Sequence, residues 1–328
     1  MTAALGSAAG QRAALVAAGR GKTVAPYTLD EQMTFFCPQE NVEALDLPLV
    51  REFQRWTVEE HRPAGEGEPA VLLLLPCQAR KPYALSSEHQ AVNGALLTAG
   101  FAPTGRGDWP AELDTDVALA LRSNAPLERA GLRIDRAVIS EPFGLVPYEA
   151  IYRWRGALSP CARYDDPGLF ESRGLGAAWR ADSTSITDAA GHHRWGPAER
   201  GAYVEAHNRL AHVIAAALTR LAPQYVAILA YVTPTLTHRS FLTDREGRRA
   251  VGLPNSRATT DGRREIVGVS DLTAGLVEVL PTARDLADLR VAGDGRLSSN
   301  VLRDPLLLAR LIARIGELSP AARSPTSR

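Results

Sequence analysis

Lysine is nearly absent from this 328-residue chain. Of its 37 basic residues only Lys22 and Lys81 are lysine, and the rest are arginine. A guanidinium stays charged under all ordinary conditions, whereas a lysine amine is compact and can shift its pKa. Each lysine therefore raises the question of what arginine could not do there. Cysteine is scarce too: Cys37, Cys77 and Cys161 are odd in number and have no CxxC spacing. That pattern excludes a disulfide framework, leads us to expect no metal site, and points to a reduced, cytoplasmic setting. No apolar run approaches the roughly 20 residues that span a bilayer. Arg12 interrupts the Ala/Gly-rich start before a signal-type apolar block develops, so no membrane partner is expected. Net charge is zero, 37 basic against 37 acidic residues, whereas a dedicated non-specific nucleic-acid binder carries a basic excess.

What is present suffices for a full core: 45% of residues are hydrophobic and 23% charged, which excludes global disorder. Residues 1–45 read as a partly ordered lead-in. Leu47 to His61 has helical spacing, and Ala70 to Leu75 is a continuous apolar run suited to a strand buried on both faces. Ser86 is placed to N-cap a helix from Ser87 to about Ala99, ended by Gly100. Val117 to Leu121 and Ile134 to Ser140 are candidate strands. Glu199 to Leu221 is a long amphipathic helix, and Val226 to Val232 is another buried strand. Leu272 to Leu280, Asp285 to Leu289 and Pro305 to Leu318 carry helical texture. The order predicts an α/β fold, an open and mostly parallel sheet flanked by helices, with a small helical C-terminal region. The expected division is an α/β catalytic domain over 46–240, a helical region over 241–318 and a disordered tail over 319–328.

The segment Pro76-Cys77-Gln78-Ala79-Arg80-Lys81-Pro82-Tyr83-Ala84-Leu85-Ser86-Ser87-Glu88-His89 lies between a predicted strand and a predicted helix. Open α/β sheets place ligand crevices at such strand ends. Thiolate is the reactive form of cysteine, and a cation or a helix N-terminus lowers the thiol pKa. Lys81, His89 and the helix start after Ser86 could each do so for Cys77. The alternative is a cysteine that only fills space at a strand end. Gly19-Arg20-Gly21-Lys22 lacks the leading Gly-x4 of a phosphate loop and is discounted. His192-His193 reads as a surface pair.

This segment fits PC-x3-KPY-x2-S-x2-H without a gap, and it resembles the signature of the archaeosine synthase core domain. Ser140-Glu141-Pro142-Phe143-Gly144-Leu145-Val146-Pro147 resembles a second stretch of that family. Tyr164-Asp165 resembles its HYD element, with Arg163 where His is usual. The resemblance runs from about Leu47 to Ser240. It implies conversion of the nitrile of a 7-cyano-7-deazaguanine-type base to an amidine, through a covalent thioimidate on Cys77. Lys81 or His89 would protonate the nitrile nitrogen.

Ser86 would orient His89 or simply cap the helix, and Tyr83 would stack on the base or pack against the loop. Glu141, Asp165 and Asp166 are candidates to accept the donor edge of the base, Asp165 first. Pro76, Ser140 and Gly144 are expected to contact the substrate, Gly144 by permitting close backbone approach or a turn with positive φ. No cofactor is expected. The expected partners are a free deazapurine base, its nucleoside or nucleotide, and an amine donor, with tRNA or DNA as second choice. The competing functions are a deazaguanine transglycosylase or glycosidase, and a non-catalytic nucleic-acid binding module of the same fold.

Overall fold

Ala70–Pro76 (β1) is apolar throughout and buried throughout, because parallel neighbours and helical layers leave neither face to water. The structure is a computed structural model that describes residues 8–63, 68–171, 179–187, 193–234, 237–292 and 300–320. Strand β1 pairs in parallel with Leu132–Ser140 (β4) on one side and Ala227–Tyr231 (β6) on the other. Val277–Leu280 (β7) adds a fourth parallel strand beyond β6. Ala102–Pro103 (β2), Leu127–Arg129 (β3) and Gly144–Pro147 (β5) complete the sheet with antiparallel pairings on the β4 side. The expected α/β architecture is therefore present.

Side chains alternate between two layers. Leu72, Leu74, Ala137, Ile139, Ile228 and Ala230 face the long helix Pro197–Leu221, and Leu73, Leu75, Val138 and Leu229 face the opposite layer. That second layer includes Val92 and Leu96 of the helix Ser87–Thr98 and Leu307, Leu311 and Ile315 of Pro305–Glu317. With Ala8–Arg20 as α1, Pro38–Ala44 as α2 and Pro48–Arg55 as α3, the Ser87–Thr98 helix is α4 and Pro197–Leu221 is α5. Thr237–Leu242 is α6, Ala283–Ala292 is α7 and Pro305–Glu317 is α8. Ser86 caps α4, its hydroxyl accepting from the His89 amide at 3.3 Å, and Gly100 follows the helix at φ +91°.

The chain leaves β1 through α4 toward β4, then returns through α5 to β6 on the other side of β1. The carboxyl end of β1 thus lies at a topological switch point, where such sheets hold their ligands.

Two segments differ from their expected states. Leu119–Arg122 is a helical turn outside the sheet with Leu119 exposed, so Val117 to Leu121 forms no strand. Leu272 to Leu280 is not one helix: Ala274 and Gly275 both take positive φ, which ends Val269–Thr273 and lets Val277 and Val279 enter β7. The C-terminal region is helical through α7 and α8 but also supplies this edge strand.

Residues 8–45 of the lead-in are ordered. Thr23 bridges to Lys81 and Thr34 to Asp165, and Tyr27, Phe35 and Phe36 are buried. Residues 321–328, most of the expected tail, lie outside the described residues.

Candidate active site

Three neighbouring parallel strands end at one point, and each is followed by one reactive group. Cys77 follows β1 directly, Glu141 follows β4 directly, and His238 lies just beyond β6 on the short helix α6. Cys77 Sγ is 3.2 Å from His238 Nε2 and 3.3 Å from Glu141 Oε2. His238 Nε2 is itself 3.3 Å from Glu141 Oε2. The thiol and the imidazole open onto a cavity of about 200 Å³ that Lys81, Tyr164, Asp165, Asp166, Phe170 and Thr233 also line.

Charge in this cluster is divided by burial and mutual contact. Burial works to lower the His238 pKa, but the Glu141 charge and the adjacent sulfur outweigh it and push the imidazole up to about 10. Burial also works to raise Glu141, yet the His238 cation holds its carboxyl below the usual value. Burial and then the Glu141 charge push the Cys77 thiol up. The resting state is thus a neutral thiol beside an imidazolium–carboxylate pair. Glu141 Oε1 and His238 Nδ1 are buried with no partner among the described residues.

Lys81 is 2% exposed. Its amine donates to the Gln78 carbonyl at 3.1 Å and sits 4.0 Å above the centre of the Tyr164 ring, a cation–π arrangement. Burial lowers its pKa, with the nearby Cys77, Asp165 and Asp166 working the other way. A compact amine whose proton can leave suits this place, and a guanidinium does not.

Of the two aspartates, Asp165 is engaged by Lys22, whose Nζ lies 2.5 Å from Oδ2. Asp166 faces the cavity and is gripped from behind by Asn41 Nδ2 at 2.7 Å and by the Gly168 amide at 3.2 Å. Burial and then the Glu141 charge raise its pKa to about 8. A Cβ on Gly168 would stand 2.1 Å from Asn41 Oδ1, so only glycine allows α2 this close to Asp166.

The structure thus brings Pro76, Cys77, Lys81, Glu141 and Asp165 to the site. It puts the other expected residues elsewhere, each for a physical reason. His89 is not on the cavity wall: its Nε2 meets the Pro76 carbonyl at 2.9 Å and its Nδ1 meets Tyr148 Oη at 3.1 Å. Burial lowers its pKa to about 4, so it is neutral and both ring nitrogens are occupied. It is a brace for the strand end that carries Cys77, not a proton donor. Ser86 is the helix cap.

Tyr83 lies behind the cavity, its hydroxyl bonded to Ser140 Oγ at 3.0 Å and Tyr164 Oη at 2.8 Å. Ser140 and Tyr83 therefore support the Tyr164 wall and do not line it. Gly144 has φ +79° in the β4–β5 turn, and a Cβ there would meet Val213 Cγ1 at 3.1 Å; its place is against α5. Cys37 and Cys161 are buried, with burial pushing Cys37 up to about 12 and raising Cys161 as well. His192 and the side chain of His193 lie outside the described residues.

Sequence reading missed His238 and Asn41, and it singled out Lys22 without placing it at the site. The strand Val226 to Val232 ends just before His238, so the rule that crevices form at adjacent strand ends would have picked out His238. Nothing local marks Asn41. Cys77, Glu141 and His238 can also hold a metal, since their donor atoms all lie within 4.8 Å of one another. No helix among the described residues is long and apolar enough to cross a membrane. Set against protein-family models, curated proteins and solved structures, the chain matches none of them.

Proposed function

We propose that this chain is an enzyme that uses the Cys77 thiol to convert the nitrile of a 7-cyano-7-deazaguanine-type base to an amidine. The observation that carries this reading is the contact of Cys77 Sγ, on the cavity wall, with both His238 Nε2 and Glu141 Oε2. The motif around Cys77, which resembles the archaeosine synthase core domain, supplies the nitrile and the deazapurine.

In the first step the thiol proton passes to Glu141, and the His238 imidazolium stabilises the sulfur anion beside it. The sulfur adds to the nitrile carbon, one C≡N π bond opens, and the nitrogen takes a proton from Lys81. This gives a thioimidate. An amine then adds to the same carbon, the neutral Lys81 accepts its surplus proton, and the C–S bond breaks to release the amidine, the departing sulfur taking its proton back from Glu141. Every atom of nitrile and amine is retained. Asp166 is the carboxyl best placed to meet the base edge, because Glu141 serves the thiol and Asp165 is held by Lys22.

Among the described residues the strands form an open sheet, not the barrel on which an Asp nucleophile of a transglycosylase normally sits. A free base, nucleoside or nucleotide is the proposed substrate, with tRNA or DNA second. The test is incubation with 7-cyano-7-deazaguanine and ammonia or a primary amine, with products read by mass. The amidine, lost in Cys77→Ala, supports the proposal. Absence of product, together with tight DNA or RNA binding unchanged in Cys77→Ala, would instead make the chain a binding module.

A further inference from the structure

The three reactive groups at the strand ends have a second chemistry open to them. Zinc binds thiolate at about 2.3 Å and imidazole nitrogen or carboxylate oxygen at roughly 2.0–2.2 Å in tetrahedral geometry. Those lengths put neighbouring donor atoms about 3.3–3.6 Å apart. Here the Sγ–Nε2, Sγ–Oε2 and Nε2–Oε2 separations are 3.2, 3.3 and 3.3 Å. A cation can therefore enter with side-chain movements of only a few tenths of an ångström.

Two further observations favour a cation. Glu141 is fully buried, and its second oxygen, Oε1, has no partner among the described residues. A thiol and a carboxylate also meet in a buried place, where a dication offsets both the carboxylate and the thiolate that the thiol becomes on losing its proton.

We propose that Cys77 Sγ, Glu141 Oε2 and His238 Nε2 form a zinc site whose fourth position faces the cavity, and that zinc held there silences the thiol. Binding displaces the thiol proton and the Nε2 proton of the His238 imidazolium to solvent and ties the freed sulfur and nitrogen lone pairs to the metal, with no change of oxidation state. Thiolate and imidazole select zinc or cobalt over magnesium and calcium, which take oxygen ligands. His238 Nδ1 has no acceptor among the described residues, whereas resident sites anchor that nitrogen through an outer partner. The site is accordingly one that zinc enters and leaves. The silencing half rests on the proposed nucleophilic role of Cys77; the binding half does not.

The test uses the full chain after treatment with a chelator. Zinc is titrated against a chromogenic competitor, and cobalt is added separately to read the sulfur-to-cobalt charge-transfer band. The site predicts one equivalent of zinc, the band in the parent chain, its loss in Cys77→Ser, and binding weakened more than about tenfold in His238→Ala. Zinc also protects Cys77 of the parent chain from iodoacetamide, a readout that needs no variant to fold. Binding unchanged in Cys77→Ser, no charge-transfer band, or a protein that zinc activates would each overturn the proposal. The nitrile reaction is run with chelator present, so failure of either experiment leaves the other readable.

Discussion

Lys22 Nζ lies 2.5 Å from Asp165 Oδ2, although 143 residues separate the two in the chain. The carboxylate side chain is 4% exposed and the amine 31%, so the N-terminal segment holds one wall of the cavity in place. Lys22→Met leaves the buried carboxylate without its cation, and the fold loses roughly 1–3 kcal/mol. Urea denaturation measures this, and a midpoint equal to that of the parent chain would contradict it.

Glu141 and His238 pull the Cys77 thiol in opposite directions. The carboxylate raises its pKa, whereas the imidazolium lowers it. Glu141→Gln therefore speeds iodoacetamide alkylation of Cys77 at neutral pH, and His238→Asn slows it. Each change is on the order of tenfold for one unit of thiol pKa. Both substitutions lower nitrile turnover, because one removes the proton acceptor and the other the cation beside the sulfur. Alkylation rates moving in the same direction would contradict the charge pattern described.

Stability falls as pH rises from neutral. His238 titrates at about 10 in the folded chain, against about 6.5 when unfolded. Between these values the folded state keeps a proton that the unfolded state has lost. Its contribution is full below about pH 6.5 and is lost toward pH 10. Asp166, raised to about 8 from about 3.9, has the same sign between those values. Denaturation midpoints should drop most steeply between about pH 6.5 and 8, where the two windows overlap. His238→Gln flattens the upper part of the profile and Asp166→Asn the lower. A profile that rises over this range would contradict the assignment.

His89 separates structural from chemical roles. Its ring joins the Pro76 carbonyl to Tyr148, and His89→Ala strands both buried partners at a cost of about 1–3 kcal/mol. The thermal midpoint falls accordingly. At temperatures where the variant stays folded, alkylation of Cys77 is nearly unchanged. A large loss of thiol reactivity in the folded variant would return His89 to the chemistry.

Much of this was legible in local sequence. The apolar run of β1, the Ser86 cap and the repeat of α5 act over a few residues, so pattern alone exposes them. Cys77, Lys81 and Glu141 could be found because each adjoins such an element. His238 could not be paired with Cys77 from spacing, since 161 residues separate them and only the parallel order of β1 and β6 brings them together. The lead-in was hidden for the same reason: its Ala, Gly and Pro content carries no period, and its order comes from backbone bridges to Lys81 and Asp165. His89 was misleading because a buried, satisfied imidazole and a catalytic one look alike in sequence.

The intact mass of the protein after incubation with 7-cyano-7-deazaguanine, with chelator and without amine, reads out whether the Cys77 sulfur adds to the nitrile. The mass should rise by the whole mass of the nitrile, because addition expels no leaving group. Peptide mapping should place it on Cys77, and later addition of amine should discharge it. An unmodified mass under conditions where iodoacetamide does label Cys77, or an adduct on Cys37 or Cys161 instead, would contradict the account.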